Sequence, residues 1–280
     1  MPTIDLGGTR IACTETGAGE TVLLLHSSAG SGALWRSLTE RLRTRCRVLA
    51  PDLYGYGETD PWPGHRPLTL ADEAALAAAV LPPACGPVHL VGHSYGGAVA
   101  LRFALQWPGR LLSLTLIEPV AFHLLRDAAE AADRALFRRV TALAAGVSAA
   151  AARGDGPGAM AQFIDYWNGD GAWSRVTSEA QAALARRAPK VALDFQATMS
   201  EATPLSAYRQ IAVPALVLRG TQSPRPTRRI AELVAKALPA ARLETIDGAG
   251  HMLPLTHPES VNAAVAAHLF RAAVPQRPAA

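Results

Sequence analysis

Val88-His89-Leu90-Val91-Gly92-His93-Ser94-Tyr95-Gly96-Gly97-Ala98 is the stretch that decides the architecture of this 280-residue chain. The apolar run Val88–Val91 reads as a strand buried on both faces. Ala98–Gln106 is nearly all apolar and reads as a helix lying against a sheet. Between them, Gly-x-Ser-x-Gly puts a serine on a sharp strand-to-helix turn, with its hydroxyl pushed clear of the backbone. The helix that follows offers free N-terminal amides, which stabilise nearby negative charge. Those are the needs of a nucleophile, and Ser94 is the candidate.

Working outward, strands and helices alternate. Thr3–Leu6 and Arg10–Thr14 read as a hairpin around Gly7-Gly8. Thr21–Leu25 is a buried strand ending in His26-Ser27-Ser28, followed by a helix near Ala33–Arg43. Arg47–Ala50 is a strand ending in Pro51-Asp52, and Leu70–Val80 is helical. Leu112–Ile117 is a strand ending in Glu118-Pro119. From Val120 to Ala212 the alternation stops and helical patterns dominate, most clearly at Leu124–Ala145, Ala159–Trp167 and Ser178–Arg187. It resumes with a strand at Pro214–Leu218, a helix at Thr227–Ala237, a strand at Arg242–Ile246 and a helix near Pro258–Arg271. Ala272–Ala280 reads as a frayed tail. This order predicts the α/β class: a mostly parallel eight-stranded sheet flanked by helices. Residues 1–119 and 213–280 form its core, and 120–212 form an inserted helical cap. Ligands of such sheets bind beyond the carboxyl ends of the strands. His26, Asp52, Ser94, Glu118, Ser223 and His251 all fall there.

Composition narrows the classes. Hydrophobic residues make up 49% of the chain and charged residues 18%, enough apolar material for a sizeable core. The net charge of +4 comes from scattered arginines, since Lys190 and Lys236 are the only lysines. No basic cluster is interleaved with aromatics, so no nucleic-acid partner is expected. Cys13, Cys46 and Cys85 are widely spaced and read as buried free thiols, not as a disulfide framework or a zinc site. No metal or other cofactor is expected. The first residues lack a basic-then-apolar leader, and no run reaches about 18 uninterrupted apolar residues. The expectation is a cytoplasmic protein with no membrane partner, monomeric or homodimeric.

The general base should be a histidine late in the chain. His251, in Asp247-Gly248-Ala249-Gly250-His251, follows the last strand on a short glycine loop. The backbone amides of Ser28 and Tyr95 are the candidate oxyanion donors. His26 reads as a structural partner of its own loop, and His257 and His268 as structural residues of the final helix.

These segments, with Pro51-Asp52-Leu53-Tyr54-Gly55-Tyr56-Gly57, resemble the α/β-hydrolases with a helical cap, and the likeness covers nearly the whole chain. Members often carry His-Gly where this chain has His26-Ser27. The resemblance implies a cofactor-free hydrolase and a third catalytic residue, an acid. Most members keep an aspartate just after the seventh strand, where this chain has Ser223. A subset, some lactone hydrolases among them, places the acid after strand six, and Glu118 matches that placement. Neighbouring strands lie about 4.8 Å apart, so a glutamate there can reach the same imidazole. Asp52 and Asp247 read as turn residues. If Glu118 instead pairs with an arginine at the cap, a Ser94–His251 dyad remains.

Phe163, Tyr166, Trp167 and Trp173 fall within eleven positions of the expected cap. They read as the cap's own core or, for Phe163 and Trp167, as an apolar wall over the substrate. His123 is a further candidate for the pocket. The expected substrate is a small hydrophobic ester or lactone, cleaved through an acyl-enzyme. The alternatives are thioester or carbon–carbon bond hydrolysis, a cofactor-free perhydrolase or haloperoxidase, and a ligand-binding receptor or partner-docking protein on a hydrolase scaffold.

Overall fold

In the computed structural model, which describes residues 3–272, eight strands form one sheet. They are β1 (Thr3–Leu6), β2 (Thr9–Thr16), β3 (Glu20–Leu25), β4 (Cys46–Pro51), β5 (Val88–His93), β6 (Leu111–Ile117), β7 (Ala215–Gly220) and β8 (Ala241–Ile246). Their order across the sheet is β1-β2-β4-β3-β5-β6-β7-β8. Only β1 with β2 and β2 with β4 pair antiparallel; the other five pairings are parallel. Most of the tail expected to fray, 273–280, lies outside the described residues.

The helices are α1 (Arg36–Leu42), α2 (Leu70–Ala79), α3 (Tyr95–Gln106), α4 (His123–Arg126), α5 (Ala131–Ala152), α6 (Gly156–Asn168), α7 (Ser178–Ala185), α8 (Ala188–Ser200), α9 (Arg225–Ala237), α10 (Leu253–Thr256) and α11 (Pro258–Ala272). The apolar runs of the central strands serve both faces of the sheet. Leu23 and Leu25 of β3 join the core under α2, α3 and α9, while Val22 and Leu24 join the core under α1 and α11. That two-sided burial is why these strands carry no polar alternation.

Helices α4 to α8 all lie between β6 and β7, and two details there differ from the sequence expectation. The helix expected over Leu124–Ala145 is broken. Arg126 turns its guanidinium onto Asp127, Met199 O and Glu201 O, and a new helix begins after Glu130. The stretch Ser178–Arg187 ends at Ala185, and Pro189 opens a separate helix, α8. Helix α5 is long and apolar enough to cross a membrane. Its stripe of Leu136, Val140, Ala144, Val147 and Ala150 is buried, and Arg229 grips Asp133 in its first turn at 2.9 Å. The thiols depart in part from expectation as well: Cys13 and Cys46 are buried, but Cys85 is only half-buried, next to the hydroxyl of Thr21.

Register brings the strand ends to one edge. Leu25 of β3 is level with Gly92 of β5, His93 with Ile117 of β6, and Ile117 with Leu218 of β7. The residues that follow, His26, Ser94, Glu118 and the 219–223 turn, therefore emerge side by side.

Candidate active site

Ser94 occupies the turn between β5 and α3 at φ 55°, ψ −115°. Positive φ costs a non-glycine residue on the order of 1–3 kcal/mol, so the surroundings must enforce it. They do so by close approach. A Cβ at Gly92 would stand 2.3 Å from Gly96 O, and one at Gly96 would stand 2.3 Å from Leu25 O. Ser94 N donates to Ile117 O at 2.9 Å, and Gly96 N donates to His26 O at 3.1 Å. The turn is thus stapled to β6 on one side and to the end of β3 on the other. The other two non-glycine residues with positive φ among those described, Ala29 and Glu118, flank the same spot.

His251, on the loop after β8, has Nε2 at 2.9 Å from Ser94 Oγ and Nδ1 at 2.7 Å from Glu118 Oε2. Glu118 is fully buried, and its Oε1 accepts the Gly220 N–H at 2.7 Å. Burial pushes the Glu118 carboxyl up. The hydrogen bond and charge of His251, helped by Ser223 and Gly220, outweigh it and hold the group below its ordinary range. Ser223 Oγ lies close enough to support that charge without the geometry of a full hydrogen bond. An ionised carboxylate only accepts, so Nδ1 carries the proton and Nε2 faces the Ser94 hydroxyl as acceptor.

The neighbouring histidines hold positions. His93 donates from Nε2 to His251 O at 2.9 Å, and burial pushes its pKa down to about 3. Leu53 N donates to His26 Nε2 at 3.0 Å, so Nδ1–H is the donor to Ser27 O at 2.8 Å; burial pushes His26 down to about 4. Asp52 is occupied by its turn, accepting from Gly32 N at 2.7 Å and Glu58 N at 3.0 Å. Asp247 is exposed and faces Thr221 Oγ1 at 3.2 Å. Neither meets His251.

Ser28 and Tyr95 line an inner recess together with Ser94. Among the described residues, no acceptor of the chain takes either backbone N–H. Their side chains lead to a network the sequence did not reveal. Ser28 Oγ donates to Asp194 Oδ2 at 2.5 Å, and Tyr56 OH donates to the same oxygen at 2.6 Å. Lys190 Nζ bridges Asp194 Oδ1 and Glu73 Oε1, the latter at 3.0 Å, and Tyr95 OH donates to Glu73 Oε1 at 3.3 Å. The ammonium lies 4.6 Å and 4.8 Å from the ring centres of Tyr56 and Tyr95. All of these groups are buried apart from the partly buried Ser28. Burial opposes the Lys190 charge, but Asp194 and then Glu73 outweigh it and raise its pKa. Burial raises Glu73 against the pull of Lys190.

A cavity of about 690 Å³ opens outward from Ser94 and His251. Phe163 and Trp167 of α6 line it, with Ile164, Leu184 and Leu255. Trp167 stacks on His251, with ring centres 4.2 Å apart and planes 27° apart. Tyr166 instead packs edge-on against Trp167. His123 does not reach the cavity. The first turn of α4 carries it inward, where it is fully buried with Nε2 at 3.2 Å from Tyr208 OH. Closeness in sequence to Glu118 therefore misled. Among the described residues, no group of three or more His, Cys, Asp or Glu side chains is arranged to hold a metal ion.

Known proteins share this arrangement of the chain. Over 117 residues the chain is 36% identical to the pimeloyl-[acyl-carrier protein] methyl ester esterase of Aeromonas hydrophila, covering 42% of this chain and 44% of that protein. A thermophilic esterase from Thermogutta terrifontis superposes with a TM-score of 0.76 at 24% identity, over 98% of this chain and 99% of the other. The enol-lactonase from Burkholderia xenovorans LB400 superposes with a TM-score of 0.76 at 18% identity, over 96% and 100%. The profile of the alpha/beta hydrolase family matches residues 22–264, and the chain belongs to that family.

Proposed function

We propose that the chain is a serine hydrolase that cleaves a carboxylic ester or lactone through an acyl-enzyme, with Ser94 as nucleophile, His251 as base and Glu118 as acid. The observation that carries this reading is the unbroken line from Glu118 Oε2 through the His251 ring to Ser94 Oγ, with links of 2.7 Å and 2.9 Å. Ser94 Oγ attacks the substrate carbonyl as its proton passes to His251 Nε2. The buried Glu118 carboxylate stabilises the imidazolium and fixes the tautomer. The charge that grows on the carbonyl oxygen meets the N–H groups of Ser28 and Tyr95, donors that need no reorganisation. His251 then protonates the leaving alkoxide, which in a lactone stays attached to the acyl group. A water that gives its proton to His251 cleaves the acyl-enzyme and restores Ser94.

Residues 120–212 act in this reading as the cap of the site. Phe163 and Trp167 supply an apolar wall, which suits a hydrophobic substrate. The test is covalent labelling by a fluorophosphonate, together with hydrolysis of short aryl esters and an aromatic lactone. Wild type should carry one adduct, on Ser94, and turn over at least one substrate, with Ser94→Ala as the blank. Folded wild type that neither labels nor hydrolyses would favour a binding protein on the same scaffold.

A further inference from the structure

The outer cavity has a charge asymmetry that a purely hydrophobic ester leaves unused. Among the described residues of its wall there is no Asp or Glu, yet Arg175 and Arg187 both line it. Their hydrogen bonds go only to carbonyl oxygens: Arg187 to Ala29 O, and Arg175 to Asp170 O at a long 3.5 Å. Neither guanidinium is neutralised by a carboxylate among the described residues. Arginine stays charged at any working pH, and each guanidinium keeps donors free for a planar anion. Arg187 is partly buried and Arg175 exposed, so the two like charges give the cavity a positive potential that salt weakens, most at Arg175.

Their positions relate this charge to the reacting centre. Arg187 immediately precedes α8 and is tied to Ala29, the residue after Ser28. Arg175 follows α6, which carries Phe163 and Trp167. The uncharged wall is mainly apolar, with Phe163, Ile164, Trp167, Leu184 and Leu255, and carries a few small polar side chains such as Ser27, Ser31 and Asn168; the recess behind Ser94 is the smaller of the two spaces. We infer that Arg175 and Arg187 form an anion subsite, and that the preferred substrate is an ester with one small arm and one longer apolar arm ending in a carboxylate or phosphate. This inference rests on the hydrolase reading for its chemistry, but not for its binding site.

Two matched series test it. In the first, the monomethyl esters of adipic, suberic and sebacic acids are compared with methyl esters of monocarboxylic acids of equal length, which places the anion on the acyl arm. In the second, acetate esters of ω-hydroxy acids are compared with those of the matching alcohols, which places it on the alcohol arm. In one series, wild type should favour the anionic ester in kcat/KM by about tenfold, as expected for one charge-assisted contact. The ratio should shrink with added salt and fall toward one in Arg187→Met and in Arg175→Met, while Arg187→Lys retains it. A ratio of one or less in both series, or one that both methionine variants leave intact, overturns the subsite. Calorimetry of the Ser94→Ala protein with monomethyl suberate separates the two readings. Binding that the arginine variants abolish, with no turnover by wild type, keeps the subsite and removes the hydrolase. No binding and no anionic preference removes the subsite alone.

Discussion

Two buried charge networks meet around the Ser94 turn, one at Ser94 itself and one at its neighbours Ser28 and Tyr95, and they are built differently. Glu118 follows β6 and His251 sits on the loop after β8, and the single carboxylate is held by the Gly220 N–H and the His251 ring. No cation neutralises it until His251 takes a proton. The second network joins Glu73 of the core to Lys190 and Asp194 of α8, and Lys190 already bridges the two carboxylates. A network awaiting a positive charge suits a step in which one appears. A network that already holds its cation suits the fixing of geometry, here that of Ser28 and Tyr95.

The largest expected effect sharpens that contrast. Glu118→Gln keeps the shape and an oxygen for the Gly220 N–H but removes the charge, and kcat should fall by about 10³–10⁴ with the melting temperature little changed. Initial rates on any ester that wild type cleaves check this, and an active Glu118→Gln protein would make the two networks equivalent. The next effect lies in stability. Lys190→Met leaves two buried carboxylates without their cation and should cost about 3–5 kcal/mol in urea unfolding. A variant as stable as wild type would mean that these groups are not ionised together.

The third effect is a pH dependence. His26 and His123 are held near pKa 4 and His93 near 3 by burial, against an ordinary value of 6.5. Between those limits the unfolded chain binds more protons than the folded one, so stability falls as pH drops from about 6.5. The slope should approach about 1.4 kcal/mol per pH unit for each such histidine. Urea midpoints from pH 7.5 to 5 measure it, and a flat profile would refute the neutral burial of these rings. The smallest effect is that of Tyr95→Phe, which removes one bond of 3.3 Å to Glu73 and should cost about 1 kcal/mol or less.

The sheet and one of the two networks could be read in the sequence, and the reason is locality. Ser94 and His251 stand in glycine turns whose spacing is itself the signal, and Glu118 ends a strand that must lie beside the next one. The strands announced themselves because they are buried on both faces. The second network has no such signature. Lys190 and Glu73 are 117 positions apart, Tyr56 and Asp194 138 apart. Lys190 and Asp194, four apart on a helix, look like an ordinary exposed pair. One sign was present: a lysine in a chain that otherwise uses arginine almost exclusively. A compact ammonium fits between two carboxylates and two rings where a guanidinium fork does not. The placement of His123 failed for a related reason, since a single helical turn reverses the side on which a residue near a strand end is delivered.

The indole of Trp167 lies flat on the imidazole of His251. One face of the imidazole is thereby covered by a ring that belongs to neither strand end nor glycine loop. The tilt of the His251 ring is set by α6 as well as by Glu118, which holds Nδ1 from the sheet. A change of side chain at position 167 would therefore be felt at the Ser94 hydroxyl, although no residue of the sheet had moved.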